Sequence, residues 1–394
     1  MMDSIFIGMS GMLSSSKGLS NISNNVANLN TPGYKRFELT YQDVGYRAEA
    51  EDLADPQSSP YTHGEGVAAG STVQVFQQGE FRQTGNDLDA AVDGNGLFVV
   101  RQGGEVFFTR SGQFTIDAAG LLTSREDGAH VAGLVDGQLV DISIADRRTV
   151  PPTATRTIVF SDSLSVNDTT FSVANIAVVD SLGVQHTLTL NLTNDKDTAQ
   201  GQWKYALMED GAQLTDGTLH YSGAGSPDTD AKTHLFSYAP PGAEAVDLTL
   251  DFSKTNQFSS SASSLKMASQ DGKTAGTLTR TTLDAQGRLA LAYSNGDTAT
   301  TAPLALASVR DTAQLRAIGT NRYAALPGAG ASYGTAKSGG YGEVRGGSLE
   351  ASNVDLAQEF GELIIAQRAY QASSQVVTAA NEMIQQLADL KGRR

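Results

Sequence analysis

Both ends of the chain carry a helical, amphipathic pattern, and everything between them reads as β structure. A β protein with one helix at each terminus has nowhere local to bury either apolar seam, which points to the helices pairing with each other and with further copies. At the amino end Ile5, Met9, Met12, Ser16, Leu19, Ser23 and Val26 advance in alternating steps of four and three, with Leu29 continuing the line and Ile22 widening it. At the carboxyl end Leu356, Phe360, Leu363, Gln367, Tyr370, Ser374, Val377, Asn381, Ile384 and Ala388 do the same, and Leu387 adds to them. This is the heptad step of a coiled coil. Ser352 and Asp355 stand at capping-box spacing, Asn353 is a competing N-cap, and Gly392 offers a stop. A helix over residues 355–391 would be about 55 Å long.

The seams are weak for a zipper. Ser16, Ser23, Gln367, Ser374 and Asn381 interrupt them, and Gly8, Gly11, Gly18 and Gly361 each cost up to about 1 kcal/mol of helix propensity. The pattern predicts helices that are marginal in the free monomer and ordered on association. The competing reading is an ordinary helical hairpin on the edge of one domain.

Composition narrows the class. With 394 residues the chain is long enough for two or three domains. Asp and Glu number 43 against 28 Lys and Arg, a net charge of −15, which argues against nucleic acid as a partner. No run of 18 apolar residues is present, so no membrane span is expected. The stretch 1–12 lacks the basic start and small-residue cleavage site of a secretory signal. Cysteine is absent, which excludes disulfides, thiol catalysis and thiolate metal sites.

Along the chain the texture changes several times. Thr31-Pro32-Gly33-Tyr34 ends the first helix, and residues 31–70 are mostly polar with little periodicity, which reads as an extended linker or a region ordered only by its neighbours. From 71 short strands follow, among them Leu88–Val92, Leu97–Val100 and Val106–Thr109, with a hairpin turn at Gln102-Gly103-Gly104-Glu105. Residues 146–284 form a second block with strands near Ile176–Asp180, His186–Leu192, Trp203–Met208 and Val246–Phe252. After 285 the first texture returns. The simplest organisation is nested: a helical layer from 1–30 and 352–394, an inner β domain from 71–145 and 285–351, and an outer β insertion over 146–284.

Little looks catalytic, and no enzyme activity or cofactor is expected. His63, His130, His186, His220 and His234 are scattered without metal-ligand spacing. Asp87, Asp89, Asp93 and Asn95 are the nearest thing to a calcium loop, but they lack the EF-hand spacing and its closing Glu, and Asp93-Gly94-Asn95-Gly96 already reads as a turn. A β adhesin and a β-architecture carbohydrate-active enzyme remain as rivals, the second needing paired carboxylates in one cleft.

Three groups of residues carry a resemblance. At the amino end these are Gly8-Met9-Ser10-Gly11-Met12, Asn24 through Asn28, and Thr31-Pro32-Gly33-Tyr34-Lys35-Arg36. In the middle they are Thr84 through Gly96 and Phe108 through Phe114. At the carboxyl end they are Leu349-Glu350-Ala351-Ser352-Asn353-Val354-Asp355-Leu356 and Ala366-Gln367-Arg368-Ala369-Tyr370-Gln371-Ala372. Together they resemble the bacterial flagellar axial proteins, the family of rod and hook subunits. Insertion size and the segment Val178–Leu190 are similar to the hook members, and a distal rod subunit is the alternative. The resemblance implies a subunit exported without a cleaved signal through the flagellar export apparatus. It would polymerise with itself into a flexible helical tube that transmits torque from rod to filament outside the cell. Its neighbours would be the distal rod, the hook cap, the hook–filament junction and the hook-length control protein.

Overall fold

The computed structural model describes residues 2–48 and 62–392. The chain is mostly β with one helix at each end, α1 (Met2–Ala27) and α2 (Leu356–Gly392). It divides into two compact units, the second made of Asp146–Arg280 and Leu291–Ala299 and the first of the remainder.

In the first unit the chain leaves α1 through a tight turn and enters an antiparallel ribbon. Phe37–Asp43 pairs with Val67–Gln74, with Phe37 opposite Gln74 and Asp43 opposite Val67. Tyr46–Ala48 and Thr62–Gly64 extend the ribbon. The reading of 31–70 as an extended linker therefore differs from the structure over these strands; residues 49–61 of it lie outside the described residues. Phe37, Leu39 and Tyr41 do alternate with Glu38, Thr40 and Gln42, but this short period-two run pairs with Val67–Gln74, which does not alternate, inside a stretch that is otherwise polar.

The larger sheet of this unit runs in the order Leu315–Gly319, Arg322–Ala325, Glu105–Thr109, Leu97–Gln102, His130–Val135, Leu122–Ser124, Phe114–Ile116. Its hairpin turns on Gly103 (φ 62°) and Gly104 (φ 88°), with Gln102 opposite Glu105. Successive positive φ values suit a two-residue turn of glycines, which have no Cβ to oppose them. Leu306 faces Phe98 and Tyr323 faces Phe108, so segments from both sides of the insertion share one sheet. Val99, Phe108, Ala132, Ala305, Ala307 and Tyr323 form its core. Asp93-Gly94-Asn95-Gly96 closes no hairpin, because Ala90–Asp93 pairs instead with Glu343–Gly346.

The large core of the second unit lies in two four-stranded sheets. One runs Thr233–Tyr238, Val246–Phe258, Thr157–Ser165, Lys266–Gln270; the other runs Thr170–Val179, Gln185–Asn194, Gln202–Glu209, Ala212–His220. Alternation works as expected: Leu248, Leu250 and Phe252 are buried while Thr249 and Asp251 are not. Trp203, Leu188, Leu190, Leu207, Ile158 and Phe160 join them in one large core, with Phe160 stacked on Phe252 at 4.8 Å.

Candidate assembly surface

The two terminal helices pack on each other within one chain, and small residues make the contact. A Cβ placed on Gly8 would lie 2.7 Å from Val377 Cγ2, and one on Gly11 would lie 2.6 Å from Ser373 Oγ. These glycines are contact surfaces, not only weak points in a helix. A second small-residue row on α1 receives the ribbon. Ser14 Oγ donates to the Val67 carbonyl at 3.2 Å, Val67 N donates to Ser10 Oγ at 3.2 Å, and Gly18 lies beneath the Tyr41 hydroxyl.

The buried faces are therefore offset from the apolar seams. On α1 the buried residues are Gly8, Ser14, Ser15, Gly18, Ile22 and Asn25. On α2 the row is Glu359, Leu363, Ala366, Ser373, Val377, Ala380 and Ile384. Of the seam residues, Ile5, Met12, Leu19, Val26, Leu363, Val377 and Ile384 are half-buried, whereas Met9, Leu356, Phe360 and Tyr370 are exposed. The bulkiest side chains point outward: Phe6 is 64% exposed, Leu13 63% and Ile365 70%. Phe6, Met9, Met12, Leu13, Ser16 and Tyr370 line an open groove on the helix pair. Gln367, Arg368 and Ala369 also lie on the exposed surface.

The family-like residues around 28–36 and 349–355 meet in a buried bracket at the foot of the helices. Lys35, wholly buried, donates from Nζ to Glu350 Oε1 at 2.5 Å and to the Gln77 carbonyl at 2.7 Å. Glu350 Oε1 also accepts from Gly79 N at 2.8 Å, and Arg110 Nε stands 3.3 Å from Glu350 Oε2. Arg110 donates to the Val92 and Gly94 carbonyls as well. Burial pulls Lys35 and Arg110 below their ordinary pKa values, and the Glu350 charge opposes the shift. Lys35 and Glu350 are 315 residues apart in the chain, so the ion pair ties its two ends together.

Backbone brackets complete the junction. Gly33 (φ 73°) donates from N to the Glu350 carbonyl at 2.7 Å, and a Cβ there would strike the Arg110–Ser111 backbone. Asn353 Oδ1 accepts from Arg36 N, and its Nδ2 donates to the Val75 and Gln77 carbonyls. Asn353 is thus a bracket rather than the helix cap; Asp355 caps α2, its Oδ1 accepting from Ala357 N and Gln358 N. Ser352 Oγ accepts from Val354 N at 3.4 Å, and Val354 is buried. Asn28 accepts from Thr31 Oγ1, and the Pro32 carbonyl accepts from Asn321 Nδ2. Tyr34 is held by Asn24 and Asn25, and burial with the nearby Glu359 charge pushes its hydroxyl up to about 12.

Glu350 and Arg110 were missed as site residues from sequence, since nothing local marks a charged residue as buried. The acids of the calcium-like loop are engaged elsewhere: Asp89 binds Arg125 at 2.9 Å and Asp93 pairs with Arg345. Among the described residues no group of three or more His, Cys, Asp or Glu is placed to hold a metal ion. No described helix is long and apolar enough to cross a membrane.

Comparison with known proteins agrees along the chain. The family "Flagella basal body rod protein" matches residues 5–35, and the D1 domain of "Flagellar hook protein FlgE/F/G" matches 91–169. The "Flagellar basal body protein FlaE D2 domain" matches 144–273, and the C-terminal family of the basal-body rod proteins FlgEFG matches 345–390. The flagellar hook protein FlgE of Treponema pallidum is 28% identical, over 99% of this chain and 100% of that one. FlgE of Rhizobium meliloti is 29% identical over 98% of each chain, and that of Salmonella typhimurium 26% over 97% and 98%. The crystal structure of Helicobacter pylori hook protein FlgE2 aligns with a TM-score of 0.46 at 15% identity, covering 70% of this chain and all of that one. With relatives aligned end to end and amino-terminal, D1, D2 and carboxyl-terminal families matching in order, the chain belongs to the bacterial flagellar hook and rod protein family.

Proposed function

We infer that this chain is a structural subunit of the bacterial flagellar hook, polymerising with itself into a helical tube and acting mechanically rather than as an enzyme. One observation carries the assembly reading. The helix pair is closed inside the subunit by small residues together with Ile22, Leu363, Val377 and Ile384, while Phe6, Met9, Leu13, Phe360, Ile364 and Ile365 remain exposed. An apolar surface of this kind favours burial against other copies. Repeated heterologous contacts that do not close generate a filament rather than a ring.

In this reading the helices form the inner layer of the tube, the first β block a middle layer and residues 146–284 an outer one. The exposed members of the seam, with Gln367–Tyr370 beside them, contact neighbouring copies. The tube bends while transmitting torque from rod to filament. The subunit leaves the cell through the flagellar export apparatus without a cleaved signal and meets the distal rod, hook cap, junction and length-control proteins. The insertion over 146–284, matched by the D2 domain family over 144–273, supports hook over distal rod.

Deletion of residues 1–30 tests the reading. The expected product keeps folded β units and forms no tubes in electron micrographs. Tubes built by the deleted chain would overturn it.

A further inference from the structure

Glu359 is a buried titratable group that neither the bracket nor the exposed face uses. It sits in the first turn of α2 and is 1% exposed. Oε1 accepts one hydrogen bond, from Asn25 Nδ2 at 3.0 Å. Oε2 is shut off from solvent and has no hydrogen-bond partner among the described residues. Asn25 has nothing more to offer: its Oδ1 accepts from Phe37 N and Tyr34 Oη, and its Nδ2 also donates to the Phe37 carbonyl.

A carboxylate here would hold a full charge in the contact between α1 and α2 on a single hydrogen bond, whereas a carboxylic acid would not. The charged and titratable groups facing it do not change that. Arg36, on the segment entering the ribbon, is drawn toward Glu38 at 3.7 Å; Glu362, one turn along α2, is a like charge; Tyr34 donates to Asn25. Burial, aided by Glu362 and opposed by Asn25 and Arg36, pushes the Glu359 carboxyl above its ordinary 4.5.

We propose that the Glu359 carboxyl takes up a proton when α2 seats on α1, which makes the pairing of the terminal helices proton-linked. The sign follows from linkage. An undocked Glu359 titrates at its ordinary value and the docked one higher, so the favourable contribution is complete below 4.5 and is lost as pH rises through the docked value. Each unit of upward shift corresponds to about a tenfold weaker pairing at high pH. The device lies within one subunit and goes beyond the assembly reading, so it stands or falls without it.

The test uses the full-length monomer. Amide hydrogen exchange of α2, corrected for the intrinsic pH dependence, is followed from about pH 4 to pH 8 in wild type, Glu359→Gln and Glu362→Gln. Wild type is expected to lose α2 protection as the pH rises across the range. Glu359→Gln is expected to show a flat profile, and Glu362→Gln to retain the slope. Equal slopes in wild type and Glu359→Gln overturn the proposal. If Glu359→Gln fails to fold, the carboxyl carbon of Glu359 is titrated by NMR in the wild-type protein. A midpoint above 4.5 supports the proposal, and one at or below it overturns it.

Discussion

The second β unit and the terminal helix pair solve opposite problems with the same kinds of residue. The β unit buries its largest side chains: Trp203, Phe160, Phe252, Leu188 and Leu207 are sealed between its sheets. The helix pair buries mostly small or polar residues, Gly8, Ser15, Asn25, Glu359 and Ala380 with Ile22, and leaves Phe6, Leu13 and Ile365 outside. A core of large apolar groups supplies stability within one chain, at about 25 cal/mol per Å² buried. A contact made by glycine and serine supplies close approach and little apolar burial. The first arrangement suits a unit that is complete alone, the second a unit completed by its neighbours.

The comparison breaks first at Trp203. Trp203→Ala should destabilise the second unit by about 3–5 kcal/mol in denaturant unfolding, by cavity formation in a sealed core. A loss near zero would mean that this core is not the source of stability.

The bracket comes next. Lys35→Met leaves the buried Glu350 with Arg110 and Gly79 but without its closest cation, and should cost about 3–5 kcal/mol of first-unit stability. Calorimetry on the full chain reads this directly, and an unchanged first-unit transition would show that the two ends are held by other means.

Glycines separate packing from propensity. Gly8→Val meets Val377 and should weaken helix pairing by about 1–3 kcal/mol. Gly361, where a new Cβ would meet nothing within 4 Å beyond its own helix backbone and chain neighbours, should instead gain up to about 1 kcal/mol on change to Ala. Helical content against temperature distinguishes the two signs. The smallest expected effect in the monomer is at Leu13: Leu13→Ala should change stability by no more than about 0.5 kcal/mol. Tube formation in electron micrographs should nonetheless fall, and unimpaired tubes would remove Leu13 from the assembly face.

Much of the architecture was legible because it is locally encoded. Strands such as Trp203–Met208 and Val246–Phe252 alternate in hydrophobicity, and the structure places them inside longer strands whose apolar positions are the buried ones. Helical ends were legible from their period. The ribbon Phe37–Asp43 was not: the alternation of Phe37, Leu39 and Tyr41 is short, and its partner Val67–Gln74 shows none. Nor was the packing phase of the helices: the apolar seam names the widest hydrophobic face, whereas the intrachain contact follows the row that permits closest approach.

The sequence by itself determined where helices and strands form and that the terminal helices carry more apolar surface than one pair needs, since period and side-chain size are local properties. Only the tertiary structure decided which face each helix turns inward, which of Ser352, Asn353 and Asp355 caps α2, and that Lys35, Arg110 and Glu350 share one buried site. Those outcomes depend on which segments meet in space, and a charge, amide or glycine acquires its role only from the partner it meets.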